Sequence, residues 1–221
     1  MVRIARVVVP DVPHHVTQRG NRRQRVFFQE QDYVTYLELL AAGCAKEGVE
    51  IWAYCLMPNH VHLVAVPRRL ESLRLAIGEA HRRYTRIVNA REDWKGYLWQ
   101  GRFSSFPMDE GYLLAAARYI ELNPVRARLV EHAWDYRWSS VHAHLSGEDD
   151  KLVRAQPLLE RVDDWRAFLR KSDEAADGDL RKHENTGRPA GSKGFIERLS
   201  SELGRDLIPK RRGRKKKADL V

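Results

Sequence analysis

The stretch that most narrows the possible folds is VEIWAYCLMPNHVHLVAV, residues 49–66. Two runs rich in apolar and β-branched residues flank Pro58-Asn59, a pair with turn chemistry, so the stretch predicts an antiparallel hairpin. On a strand, residues two apart share a face. His60 and His62 therefore project together, while Val61 and Leu63 point the opposite way. Two such imidazoles can share one cation if another element brings a third ligand. Spacing alone leaves a second reading open, a pair of hydrogen-bonded structural histidines. The chain carries its own control. His142 and His144 stand in WSSVHAHLSG, which reads as helical. Residues two apart on a helix lie ~200° apart around its axis and do not face each other.

The hairpin sits in a longer pattern. RVVVPDVPHHVTQRG reads as a strand ending near Gly20. QEQDYVTYLELLAAGCAKEG places Tyr36, Leu39, Leu40 and Cys44 at helical spacing and closes on Gly48. ESLRLAIGEAHRRYTRIVNA predicts a second helix with arginine and histidine on its wet face. GYLWQGRFSSFPM predicts a short strand with a glycine turn. DEGYLLAAARYIELN predicts a third helix, with Asp109 as its N-cap and Pro124 as its interruption. The first six elements follow the split β-α-β-β-α-β order of a ferredoxin-like α+β domain. That architecture lays helices on one face of an antiparallel sheet and can leave the other open to a ligand. On the third helix, Tyr119 and Asn123 are four apart and share a face. Leu113, Ala117 and Ile120 form the adjoining apolar stripe, predicted to pack on the sheet. A tyrosine near a cation can serve as a nucleophile. The alternative for Tyr119 is a half-buried tyrosine bonded through its hydroxyl, and for Asn123 a cap on the next helical turn.

Charge separates the ends from the middle. The net charge is +9, and residues 181–221 alone contribute +8. The opening 28 residues carry six Arg and one Asp, while residues 146–180 sum to −4. Positive runs of this kind attract phosphate backbones by counterion release. No apolar run approaches the ~20 residues that span a bilayer. Neither a leader-type h-region nor a C-x-x-C pair is present, and Cys44 and Cys55 suit a reducing compartment. A cytoplasmic protein with no membrane partner and no zinc ribbon is expected.

Several stretches together resemble one family. AYCLMPNHVHLVAVP, YLWQGRFSSFPMDEGYLLAAARYIELNPVRARLV, YRWSSVHAHL and HHVTQRGNRRQRVF are similar to the REP-associated tyrosine transposases, and GRPAGSKGFIERLSSELGRDL followed by KRRGRKKK matches their tail more loosely. These proteins are a bacterial branch of the single-tyrosine HUH, IS200-like transposases. The resemblance implies that His60 and His62 bind a divalent ion, Mg2+ or Mn2+, with Asn123 as the polar third ligand. It implies Tyr119 as the nucleophile. It also implies single-stranded DNA beside a palindromic hairpin as substrate, with a 5′-phosphotyrosine link and a free 3′-hydroxyl as products. The expected domains are a transposase/nuclease domain over 1–145, an acidic linker with a short helix over 146–185, and a basic DNA-binding extension over 186–221. A bacterial, nucleoid-associated monomer or homodimer follows. Arg128 departs from the family, where glycine is expected.

In that reading Arg19, Arg22, Arg23 and Arg25 contact hairpin phosphates. Gln100 and Arg102 reach the strand near the cut, and Trp99 either stacks on an unpaired base or packs in the core. Lys210, Arg211, Arg212, Arg214, Lys215, Lys216 and Lys217 contact phosphates without reading sequence. Two other readings stay open: a non-catalytic hairpin binder that keeps the fold, and a metal-dependent phosphoesterase using activated water.

Overall fold

The computed structural model describes residues 4–171 and 174–208. Four strands form one antiparallel sheet: β1 (His14–Arg19), β2 (Val49–Met57), β3 (His60–Pro67) and β4 (Ser104–Pro107), in the order β2-β3-β1-β4. The hairpin turns at Pro58-Asn59 as its sequence predicts, and β3 becomes a central strand. The first strand starts later than its apolar run suggests, at His14.

Alternation sorts β3 cleanly. Val61, Leu63 and Ala65 enter one core, and Val64 enters the other beside the histidines. In β2 the register shifts between Ile51 and Ala53. Such a bulge reverses the parity of the side chains that follow it. Ile51 and, beyond the bulge, Tyr54 and Leu56 therefore share the first core, while Ala53, Cys55 and Met57 share the second.

The first core lies under α1 (Glu30–Glu47) and α2 (Ser72–Arg91), the two ferredoxin-like helices. Gly48 ends α1 at φ +63°, a left-handed conformation that glycine adopts without strain. The two helices approach closely at Gly43, where a Cβ would come within 2.9 Å of the Ala76 carbonyl oxygen. His81 departs from the expected wet face of α2. It is buried, and its Nε2 lies 2.8 Å from the Tyr36 hydroxyl. Its position falls on the Ile77–Ala80–Tyr84 stripe, and the phenol satisfies its polar ring. Trp99 takes the core alternative, 5% exposed with its ring 4.7 Å from that of His81.

The second face of the sheet is largely covered by α3 (Glu110–Glu121). Asp109 caps it, accepting from the Tyr112 amide at 3.2 Å. Leu113, Ala117 and Ile120 pack on the sheet as their spacing predicts. A short turn, α4 (Asn123–Arg126), follows the break at Leu122. Arg128 adopts φ +55°, so the left-handed turn that favours glycine is kept with an arginine in it. Beyond residue 140 come α5 (Val141–Ser146), α6 (Gln156–Leu159), α7 (Trp165–Arg170), α8 (Glu174–Thr186) and α9 (Lys193–Leu203). Leu158, Trp165, Leu169 and Leu180 join the second core, so α6, α7 and α8 pack around α3. Phe195 and Leu199 of α9 pack with Val7, Val9 and Leu207 in a third cluster. Among the described residues, no helix is long and apolar enough to cross a membrane.

Candidate active site

His60 and His62 open β3 on the sheet face that carries α3. Their ring centroids are 4.9 Å apart at 81°. The Asn59 side chain orients His60: its Nδ2 donates to the Arg23 carbonyl at 3.1 Å, which turns its Oδ1 to His60 Nδ1 at 2.6 Å. The His62 Nδ1 lies 3.1 Å from His15 Nε2. Burial lowers the pKa of His60 to about 4 and that of His62 well below its usual value; nearby Arg19 adds to both effects. Both rings are therefore neutral at pH 7 and offer lone pairs, the form a cation needs.

The third helix brings the phenol to this pair. Tyr119 is buried, with its ring centroid 5.7 Å from that of His62 and 6.1 Å from that of His15. The Arg126 guanidinium sits 4.0 Å over the Tyr119 ring and also donates to the Tyr119 carbonyl. That contact ties the short α4 turn back onto α3. Asn123 is buried beside His60, whose pKa its side chain raises against the effect of burial, and its Nδ2 has no partner among the described residues.

These contacts test whether a cation fits. Both imidazoles are neutral, and the Asn123 amide beside them has a buried Nδ2 without a partner among the described residues. Two imidazole lone pairs and an amide oxygen make a donor set that suits a divalent metal.

Two further side chains were not singled out in the sequence. His15, on β1, is diagonal to His62 across the β1–β3 ladder, where Thr17 is the direct partner of His62. Glu184, on α8, places Oε1 3.7 Å from His62 Nδ1 and 3.9 Å from His15 Nε2. One ligand atom from each of these three residues lies within 4.8 Å of the others. Nothing local in the sequence marks Glu184 among ten acidic residues between 148 and 179 and the tail that follows. His15 is visible only as half of His14-His15, and the partner of His14 is backbone: its Nδ1 faces the Val12 carbonyl at 2.7 Å.

A cavity of about 310 Å3 opens over the imidazoles, walled by His60, His62, Glu184 and Asn185 and by Arg19, Gln100 and Arg102. Tyr119 and Asn123 do not line it. Arg22 and Arg23 occupy a tight turn beside it at φ 53° and 62°. Among the described residues, Arg19, Arg22, Arg23, Arg25 and Arg102 have no ion-pair partner. The basic run from Lys210 to Lys217 lies outside the described residues. The helical control behaves differently. His144 is buried with Nδ1 2.6 Å from Glu121 Oε1, and His142 is exposed.

Comparison with known proteins identifies the family. A "Putative REP-associated tyrosine transposase" of Haemophilus influenzae is 27% identical over 116 residues, spanning 48% of this chain and 66% of that relative. The match thus covers just under two thirds of the relative's length. The structure of a REP-associated tyrosine transposase bound to a REP hairpin superposes with a TM-score of 0.58 at 19% identity, over 70% of this chain and 92% of that one. That likeness establishes a shared fold. Residues 8–123, more than half of the chain, match the family described as "Transposase IS200 like", and the chain belongs to that family.

Proposed function

We propose that the protein is a tyrosine transposase that cuts and rejoins single-stranded DNA beside hairpin-forming palindromes such as REP hairpins. The observation that carries this reading is the meeting of Tyr119 with the His60–His62 pair on one sheet face. Family membership supports it.

The residues divide the work as follows. His60, His62 and Asn123 would hold a divalent cation, Mg2+ or Mn2+, which when bound would polarise an oxygen of the scissile phosphate. Neutral imidazoles suit many metals. With the Asn123 amide oxygen beside them, they would hold a hard ion only loosely. The Tyr119 hydroxyl oxygen forms a bond to phosphorus as the bond from phosphorus to the 3′ oxygen breaks. The phenol gives up its proton and the departing 3′ oxygen gains one. One phosphoester replaces another, so a 3′-hydroxyl can reverse the step and join strands. Arg126 over the Tyr119 ring fixes its orientation. Arg19, Arg22, Arg23 and Arg25 take hairpin phosphates, and Gln100 and Arg102 take the strand at the cavity. The Lys210–Lys217 run adds phosphate contacts that do not depend on sequence. A DNA substrate of this kind places the protein in the bacterial cytoplasm.

The test is covalent capture. Incubated with Mn2+ and an end-labelled hairpin carrying single-stranded flanks, the protein forms a labelled adduct stable to denaturant. Tyr119→Phe abolishes it. Cleavage that survives Tyr119→Phe would instead establish the water-activating phosphoesterase, and binding with no cleavage by the unaltered protein the non-catalytic binder. The same assay titrated with Mn2+ ranks the oxygen ligands. Asn123→Ala is expected to raise the half-saturating Mn2+ concentration about 10-fold or more, and Glu184→Gln by less. The reverse order would assign the ion to the His15–His62–Glu184 cluster.

A further inference from the structure

A second groove, of about 470 Å3, lies between the outer face of α2 and the loop over residues 96–103. Its size falls in the ~300–1,000 Å3 range of ligand clefts. Gln18 and Arg102 line both this groove and the cavity at the imidazoles, so the two spaces share a wall. Gln18 also donates to the Gly101 carbonyl at 3.0 Å, which holds the loop against β1.

The groove has two chemical features. Its floor is apolar, made of buried Leu98, Trp99 and Phe103, and Tyr97 stands at the rim 85% exposed. Its wall is basic: Arg86 has no ion-pair partner among the described residues, nor has Arg102, whereas Arg74 and Arg82 are balanced by Glu71 and Glu79.

An unpaired nucleotide meets both features. Its base face stacks on the exposed Tyr97 ring over the apolar floor, and its phosphates pair with guanidinium groups. A duplex does not, because its base faces and pairing edges are already occupied. We propose that this groove holds the unpaired strand next to the point of cleavage, with a base against Tyr97 and phosphates on Arg86 and Arg102. The inference rests on the nuclease reading and adds the path its single-stranded substrate takes out of the catalytic cavity.

Two charge reversals on α2 test it. Arg83 and Arg86 are both exposed, and only Arg86 lines the groove. The full chain is titrated, without metal, into two fluorescent DNAs: a bare hairpin, and the same hairpin with a short unpaired thymidine flank. Arg86→Glu is expected to weaken binding of the flanked DNA about 10-fold more than Arg83→Glu does, with the two variants alike on the bare hairpin. Tyr97→Ala, at a site too exposed to disturb folding, is expected to weaken only the flanked DNA, by roughly 5-fold or more. Equal losses for the two arginine variants, or equal losses on the two DNAs, overturn the proposal. If the Tyr119 adduct forms and Arg86→Glu leaves flanked-DNA affinity intact, the groove fails and the nuclease reading stands. If no adduct forms and the flank-specific loss appears, the groove stands as a single-strand site and the nuclease reading fails.

Discussion

His60-Val61-His62 and His142-Ala143-His144 share one spacing and reach opposite ends. On β3 the period of two sets both imidazoles on the same face, 4.9 Å apart, with ring nitrogens turned to polar neighbours rather than to a carboxylate at hydrogen-bonding distance. On α5 the turn sends His142 to solvent and drives His144 into the interior. There Glu121 accepts from Ser140 Oγ at 2.6 Å and from Trp165 Nε1 at 2.8 Å, and meets His144 Nδ1 at 2.6 Å. One pair makes an open site and the other a sealed joint. A histidine motif thus has no chemistry of its own until the backbone period is known.

Acid offers the largest perturbation of the strand side. Burial lowers the pKa of His60 and His14 to about 4 and that of His15 and His81 to about 3, and lowers that of His62 as well. Each folded-state value lies below the unfolded one, so the unfolded chain binds more protons in acid. Stability is complete above pH ~6.5 and falls as the pH drops towards 4. At pH 5 His60, His14, His15 and His81 each remove ~2 kcal/mol, together on the order of 8 kcal/mol, comparable to the whole stability of a domain, and His62 acts in the same direction. Urea midpoints measured from pH 7.5 downward should collapse before pH 4.5. A midpoint unchanged between pH 7.5 and 5 would mean that these rings are not buried neutral.

Next in size is removal of one imidazole. His62→Ala should reduce adduct formation by more than the ~100-fold ascribed to the loss of an outer-shell metal partner. Hairpin affinity, measured without metal, should change less than about 3-fold, because Arg19–Arg25 carry the phosphate contacts in the proposed division of labour. Equal loss of cutting and binding would merge two surfaces that are here kept apart.

The strand side of the comparison was legible in the sequence as far as local periodicity reaches. The hairpin, the shared face of His60 and His62, the Asp109 cap and the Leu113–Ala117–Ile120 stripe all depend on neighbours within a few residues. His15 and Glu184 depend on more. The contact between His15 and His62 follows from the β1–β3 register, and that of Glu184 from the packing of α8 against α3 and β4, where Ser104 Oγ donates to the Glu184 carbonyl at 2.8 Å. No window of sequence holds both partners. His81 differs for another reason: position overrides residue type, and its spacing from Ile77 and Tyr84 puts it on the buried stripe. Trp99 follows the same rule, since its neighbours Tyr36 and Tyr84 come from two other elements.

The helical pair supplies the smaller effects. His144→Ala leaves the Glu121 carboxylate buried with two of its three partners. Breaking a buried pair of this kind typically removes ~3–5 kcal/mol, to be read from urea denaturation at pH 7.5. Adduct yield per folded molecule should stay within about 2-fold, because Glu121 anchors the far side of α3 and touches none of the imidazoles at the cavity. A change in the Mn2+ requirement would show that the joint positions Tyr119 and does more than hold the helix. His142→Ala is the last and smallest test. Its side chain is exposed, and surface substitutions of this kind stay within about 0.5 kcal/mol. If it nevertheless shifted the Mn2+ titration as His62→Ala does, spacing would outrank backbone period, and the distinction between the two motifs would fail at its simplest point.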